Sequence, residues 1–401
     1  MSALLHPFAP PAKTEFLNIV RGEGAVIWDD RGKAYIDGMA SLWYQNIGHG
    51  RPEMTAAITE QMRKISAYHL FDPFTNEPAE RLADRILTLS PFDKGRVFFG
   101  SSGSEAVDSA MKIARIAQRE AGHPERHIII SRDRGYHGVN YGGTSAQGIP
   151  INQEGFGPLV GGVIQVPADN IEMMSQAFQQ NEGSIAAILT EPMQGAGGVF
   201  PPPPGYLESL RRLCDQYGAY LIFDEVITGF GRLGSWFGAQ RYGVMPDMMT
   251  FAKAVTSGYV PLGGVIVGPG PSAALEANPG FALKHGYTYS GHQLAVTAGL
   301  TAIAIQEDEQ LLAGATRIGE RVSPALKSIL ADGLITEVRG EHGVWAVQLP
   351  DQKDAATVRN ELLEKGVIYR PLGNALVLCP PLVITDAQID QMMDALVDVL
   401  S

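Results

Sequence analysis

Three ionisable residues stand at the ends of apolar runs, where a side chain can act on a ligand. They are Glu191 after AAILT, Asp224 within YLIFDEV and Lys253 after MMTFA. Burying a carboxylate or an amine in such surroundings costs free energy unless each finds a partner. A purely structural Asp–Lys pair would meet that demand, and so would a ligand. Val226 falls two residues after Asp224, which in a continuous strand turns both side chains to one face. A carboxylate beside a flat β-branched side chain suits a planar heteroaromatic ring. The acid raises the pKa of a ring nitrogen, and the cationic ring then draws electrons from an attached carbon.

A phosphate site is available nearby. GSSGSEAVDSAMKIAR (100–115) passes from a strand through a Gly/Ser turn into a helix. Backbone N–H groups of Gly103 and Ser104 at a helix N-terminus can cradle a phosphate, with the hydroxyls of Ser102 and Ser104 as further donors. The same residues also read as a serine N-cap followed by an acid.

The elements that must position these residues lie between about 96 and 270. RVFFG (96–100), HIIIS (127–131), AAILTE (186–191), YLIFDEV (220–226), MMTFAK (248–253) and GGVIVG (263–268) read as strands. Helices are expected at about 104–119, with Val107, Ala110, Met111, Ala114 and Ala117 on one face, and at 206–217, stopped by Gly218. Continuous apolar strands spaced by helices indicate an α/β fold with a mainly parallel sheet covered on both faces. In such a sheet, ligands bind beyond the C-terminal strand ends. Further helical patterns cover about 51–66 and 76–89, and two short strands flank the turn Asp29–Gly32. GVWAVQL (343–349), GVIYR (366–370) and ALVLC (375–379), with amphipathic helices at about 353–365 and 386–400, read as a smaller α+β domain. The expected division is a large domain over 51–300 and a small domain made of 1–50 plus 301–401.

The chain has 401 residues, 45% of them hydrophobic, enough to bury a substantial core. A formal net charge of -12 argues against binding nucleic acid or an anionic membrane. Cys214 and Cys379 are read as lying in apolar surroundings outside any CxxC, as buried thiols of a reducing compartment do. MSALLHPFAPPAK lacks the pattern of a signal peptide, and no run of 18 apolar residues exists. A cytoplasmic protein is expected. The histidines are too scattered for a metal site, so no metal is expected.

SGSEA (102–106), GYHG (135–138), EPMQGAGG (191–198), FDEVITGFGR (223–232), AKAVTSGYVPLGG (252–264) and HGYTYSGH (285–292) occur in that order. In this the chain resembles the class III (omega-type) aminotransferases of fold type I, which use pyridoxal 5'-phosphate (PLP). The resemblance covers nearly the whole chain. It implies that Lys253 holds PLP covalently and moves the proton during turnover, and that Asp224 pairs with the ring nitrogen. It implies Tyr136 and Val226 on opposite ring faces, and Gly103 and Ser104 on the phosphate. Thr288 would reach the phosphate from a partner subunit, so a homodimer with shared active sites is expected. Glu191 and Gln194 would lie near the cofactor's phenolic oxygen and the substrate entrance. His137 and His292 are motif residues read as scaffold histidines, with His137 at the cofactor, and Glu225 and Arg232 are read as structural. Ser101 and Ala196 depart from the residues common in the family.

SLWYQNIGHG (41–50) and SAYHLFDPF (66–74) resemble pocket segments of the amine and omega-amino acid:pyruvate branch, which implies an aromatic pocket of Trp43 and Phe71. VIYRPLG (367–373) matches that branch's segment carrying a mobile arginine. Arg370 would pair bidentately with the carboxylate of pyruvate or alanine. An amine or omega-amino acid donor and an oxo-acid acceptor follow, with ping-pong kinetics through the pyridoxamine form. Other PLP reactions, such as decarboxylation, amino migration or phosphate elimination, share the same cofactor frame. Gly229-Phe230-Gly231-Arg232-Leu233-Gly234 formally matches a dinucleotide fingerprint, but the glycines and proline that follow allow no long helix there.

Overall fold

The computed structural model describes residues 3–401. Fourteen strands follow in chain order among these residues: β1 (Ile19–Glu23), β2 (Val26–Asp29), β3 (Ala34–Ile36), β4 (Arg96–Gly100), β5 (Ile128–Arg132), β6 (Val163–Val166), β7 (Ile185–Thr190), β8 (Tyr220–Asp224), β9 (Met248–Phe251), β10 (Gly263–Val267), β11 (Glu337–Glu341), β12 (Val344–Gln348), β13 (Arg370–Leu372) and β14 (Ala375–Leu378). The central sheet has the order β4-β10-β9-β8-β7-β5-β6. Strands β5 to β9 pair in parallel, whereas β10 runs antiparallel to both β9 and β4. Every residue of β7, β9 and β10 is buried, as a sheet covered on both faces requires. Because β7, β8 and β9 point the same way, Glu191, Asp224 and Lys253 all emerge at one edge of the sheet.

The helix Gly103–Glu120 buries Val107, Ala110, Met111, Ala114 and Ala117, the expected face, and adds Ile113. The helix Tyr206–Tyr217 ends on Gly218 in the left-handed conformation at φ +67°. A side chain there would be strained, which is why glycine closes this helix. The helices Pro52–Lys64 and Glu77–Leu89 pack on Gln293–Asp308, an element without a periodic apolar stripe because it is buried on most sides.

The C-terminal part forms an antiparallel sheet, β11-β12-β14-β13, with the helices Leu311–Ala331, Ala355–Glu364 and Asp386–Leu400. Its core takes in Ile36, Ile47 and Met54 from the start of the chain. β1, β2 and β3 make a separate sheet that joins this part through Ile36, whose N–H donates to Gly366 O at 2.8 Å. Arg232 is fully buried and ties three segments together. Its Nη1 donates to Gly343 O at 3.1 Å and Pro380 O at 2.6 Å, and its Nη2 donates to Asn46 Oδ1. Glu225 accepts from the N–H groups of Gly238 and Ala239, each at 2.7 Å, and from the Thr228 hydroxyl. Both therefore have the structural role expected of them.

Two boundaries differ from expectation with consequences for the site. The strand through YLIFDEV stops at Asp224, so Val226 lies in a turn and shares no strand face with it. In GVIYRPLG, the strand starts only at Arg370. After Gly234 comes just the short helix Gly238–Tyr242, which is no dinucleotide-binding βαβ unit. Cys214 and Cys379 are buried free thiols. Among the described residues, no helix is long and apolar enough to cross a membrane.

Candidate active site

Gly103, Ser104, Tyr136, His137, Glu191, Asp224, Val226 and Lys253 line one cavity of about 180 Å³ at the C-terminal edge of the sheet. Lys253 follows β9 and opens a tight turn with φ +49°. A non-glycine residue costs free energy in that conformation, and such residues cluster at functional sites. Trp43 at φ +68° and Arg134 at φ +64° line the adjoining cleft in the same way. Lys253 Nζ has no hydrogen bond or ion pair among the described residues. Burial pushes its pKa below the usual lysine range, against the opposing pull of Asp224 and Glu191. A less charged amine is what a nucleophile or proton carrier needs.

Asp224 is buried and held from three sides. His137 Nδ1 lies 2.8 Å from Oδ2, while Thr250 Oγ1 donates to Oδ1 at 2.9 Å and the Val226 N–H donates to Oδ1 at 3.2 Å. An ionised carboxylate only accepts, so the proton of His137 that faces it sits on Nδ1. Glu191 accepts from the Tyr136 N–H at 2.9 Å and the Gly195 N–H at 2.8 Å, and burial raises its pKa. Gln194 Nε2 donates to Asp133 O at 2.7 Å, which turns it away from the cavity. His292 caps the helix Gln293–Asp308 through Nδ1, which accepts from the Leu294 N–H at 3.3 Å.

The two serines of the expected phosphate cradle are placed differently. Ser102 does not line the cavity. Its Oγ is the N-cap, accepting from the Glu105 N–H at 3.1 Å. Ser104 does line it, and its Oγ accepts from the Val139 N–H at 3.0 Å. A Cβ on Gly103 would come within 2.9 Å of Val226 Cγ1, and one on Gly138 within 2.5 Å of Ser104 Oγ. Glycine at both positions lets the helix start, Val226 and the turn after His137 approach this closely around the cavity.

A second cleft continues from Lys253 and Tyr136, lined by Trp43, Leu42, Ile149 and Arg370. The Arg370 guanidinium has no hydrogen bond or ion pair among the described residues, and burial lowers its pKa. Phe71 stands elsewhere. It is 51% exposed and lines a separate surface cleft with Phe98 and His285, so it does not belong to this chain's own Trp43 pocket. Thr288 is also exposed and outside the cavity. Thr250 escaped the sequence reading. Only the register that sets it opposite Asp224 across β8 and β9 reveals it.

The donor set fits PLP: an unpartnered amine, a carboxylate for a ring nitrogen, and a helix N-terminus at Gly103 and Ser104 for a phosphate. The model for class III aminotransferases matches residues 8–400. A putrescine–pyruvate aminotransferase of Pseudomonas aeruginosa is 36% identical, covering 94% of this chain and 88% of that protein. A transaminase structure from the marine bacterium Virgibacillus superposes with a TM-score of 0.95 at 37% identity, covering 99% of this chain and 96% of the other. An amine transaminase from an uncultivated Pseudomonas species, solved in its PLP-bound form, gives 0.94 at 34% identity, covering 99% and 98%. The chain belongs to the class III aminotransferases, and is a PLP-dependent transaminase of fold type I.

Proposed function

We propose that this enzyme moves an amino group from an amine or omega-amino acid to pyruvate or a similar oxo acid. The observation that carries the reading is Arg370, a partly buried cation with no partner of its own, in the cleft that opens from Lys253. A desolvated guanidinium in that place offers a carboxylate two parallel hydrogen bonds. The wall formed by Trp43 and Leu42 suits the apolar part of a donor.

When bound, PLP supplies an electron sink for the carbon that carries the amino group. Lys253 would hold the cofactor through Nζ, and the same amine would carry a proton to and from the substrate carbon. Asp224 would pair with the ring nitrogen. Val226 and Tyr136 would confine the ring, and Gly103 and Ser104 would bind the phosphate through backbone N–H groups. Glu191 keeps the Tyr136 backbone in place. The two relatives from Pseudomonas, named for putrescine with pyruvate and for amines, support the substrate class.

The same reading extends to assembly. Phe71 and Thr288 lie outside their own chain's cavity, on a surface with the exposed aromatics Tyr68, Phe74 and Tyr289. A homodimer in which each copy lends Phe71 and Thr288 to the other's site accounts for both. The large domain is then 51–300 and the small domain 1–50 plus 301–401, in a cytoplasmic enzyme. The test is the visible spectrum of the PLP-loaded protein. Addition of 1-phenylethylamine should bleach its yellow band, and pyruvate should restore it. A band that 1-phenylethylamine and omega-amino acids both leave unchanged would contradict the reading.

A further inference from the structure

We propose that Thr250 is a positioning residue that decides which oxygen of Asp224 meets the cofactor's ring nitrogen. The proposal rests on the reading that Asp224 pairs with that nitrogen.

Parallel pairing of β8 with β9 sets Asp224 opposite Thr250. Both are buried, Thr250 completely. A carboxylate has about four lone-pair directions. Oδ1 receives two donors, Thr250 Oγ1 at 2.9 Å and the Val226 N–H at 3.2 Å. Oδ2 receives one, His137 Nδ1 at 2.8 Å. The remaining direction belongs to Oδ2, so the ring N–H is received there and Oδ1 is closed to it. The arrangement is sequential in the chain as well as in space. The strand ends at Asp224, the turn brings the Val226 N–H back onto Oδ1, and the adjacent strand supplies the hydroxyl.

Removing the Thr250 hydroxyl leaves a buried lone pair on Oδ1 without its donor. The carboxylate can then turn and share its oxygens differently, and its alignment on the ring nitrogen is lost. A hydroxyl donating to a charged acceptor in a buried site contributes enough that its loss weakens binding about tenfold.

The variants are Thr250→Val, which keeps the shape, and Thr250→Ser, which keeps the hydroxyl, with Asp224→Asn as control. Three quantities are measured: PLP affinity by absorbance titration of the apo protein, the ¹⁵N chemical shift of ring-labelled PLP bound to the enzyme, and kcat against KM. For Thr250→Val we expect about tenfold weaker PLP binding, a ¹⁵N shift moved toward that of the unprotonated ring, and a fall in kcat larger than any change in KM. Thr250→Ser should stay close to the parent in all three. If Thr250→Val fails to fold, Thr250→Ala read beside Thr250→Ser makes the same comparison. A shift that moves in Asp224→Asn but not in Thr250→Val or Thr250→Ala would overturn the role of Thr250 and leave the Asp224 pairing intact. An unmoved shift in Asp224→Asn would overturn the pairing itself.

Discussion

Asp224 and Glu225 are consecutive in FDEVITGFGR, yet they serve different regions of the molecule. Asp224 faces the cavity with one acceptor direction open. Glu225 faces the scaffold, where the Gly238 and Ala239 N–H groups and the Thr228 hydroxyl occupy it. The same contrast separates two arginines. Both Nη groups of Arg232 are committed to backbone and side-chain oxygens, whereas the Arg370 guanidinium has no hydrogen bond or ion pair among the described residues. Burial alone does not distinguish function from structure here. The distinction lies in whether the chain itself has already satisfied the buried group. Lys253 and Arg370 are the cations left unsatisfied at the cleft, and a ligand is what completes them.

That contrast can be broken most decisively at Lys253. Lys253→Ala should lower transamination by roughly 10²–10⁴-fold, the range expected for loss of a proton-transferring group. The melting temperature of the apo protein should stay close to the parent's, because Nζ bonds to nothing that would be orphaned. A variant that lost its fold instead would place Lys253 with the scaffold.

On the scaffold side, burial pushes Glu225 from the ordinary 4.5 up to about 7, against its three donors. The unfolded chain gives up this proton above about pH 4.5, while the folded chain keeps it until about pH 7. Folding stability should therefore fall as pH rises through that window, by about 3 kcal/mol from this group. In Glu225→Gln the fall should be flattened, as read by chemical denaturation at several pH values. Equal slopes in parent and variant would mean that the donors keep Glu225 ionised throughout.

Arg370→Ala sharpens the comparison within the cleft. The KM for pyruvate should rise about thirtyfold, the loss of a charge-assisted pair worth about 2 kcal/mol. The half-reaction with an apolar amine should change little. Equal losses with both partners would remove Arg370 from carboxylate recognition. Phe71→Ala should have the smallest effect, a severalfold change in amine preference from about 1 kcal/mol of lost packing. In mixed dimers with Lys253→Ala, the altered preference should follow the partner's site. An effect confined to the chain carrying the substitution would contradict a shared site.

The sequence made the positions of Glu191, Asp224 and Lys253 legible because apolar β7, β8 and β9 end at or just before them. Their shared edge follows from parallel pairing, which continuous apolar runs also announce. Three things were not legible, each for a physical reason. The reversal of β10 leaves no mark, since GGVIV is buried on both faces whichever way it runs. The helix Gln293–Asp308 has no polar face to give it a period. Thr250 depends on the register between two strands, which composition does not encode. Val226 was found for an incomplete reason: it reaches the cavity from a turn after the strand, with its own N–H folded back onto Asp224. Ser102 shows the opposite case, a hydroxyl that suits a phosphate but serves as a helix cap.

The most direct test of the central claim is to locate the cofactor's attachment. The PLP-loaded protein is reduced with borohydride, digested and mapped by mass spectrometry. The account predicts a single phosphopyridoxyl label on the peptide containing Lys253. A label on another lysine, such as the exposed Lys284, with Lys253 unmodified, would contradict it.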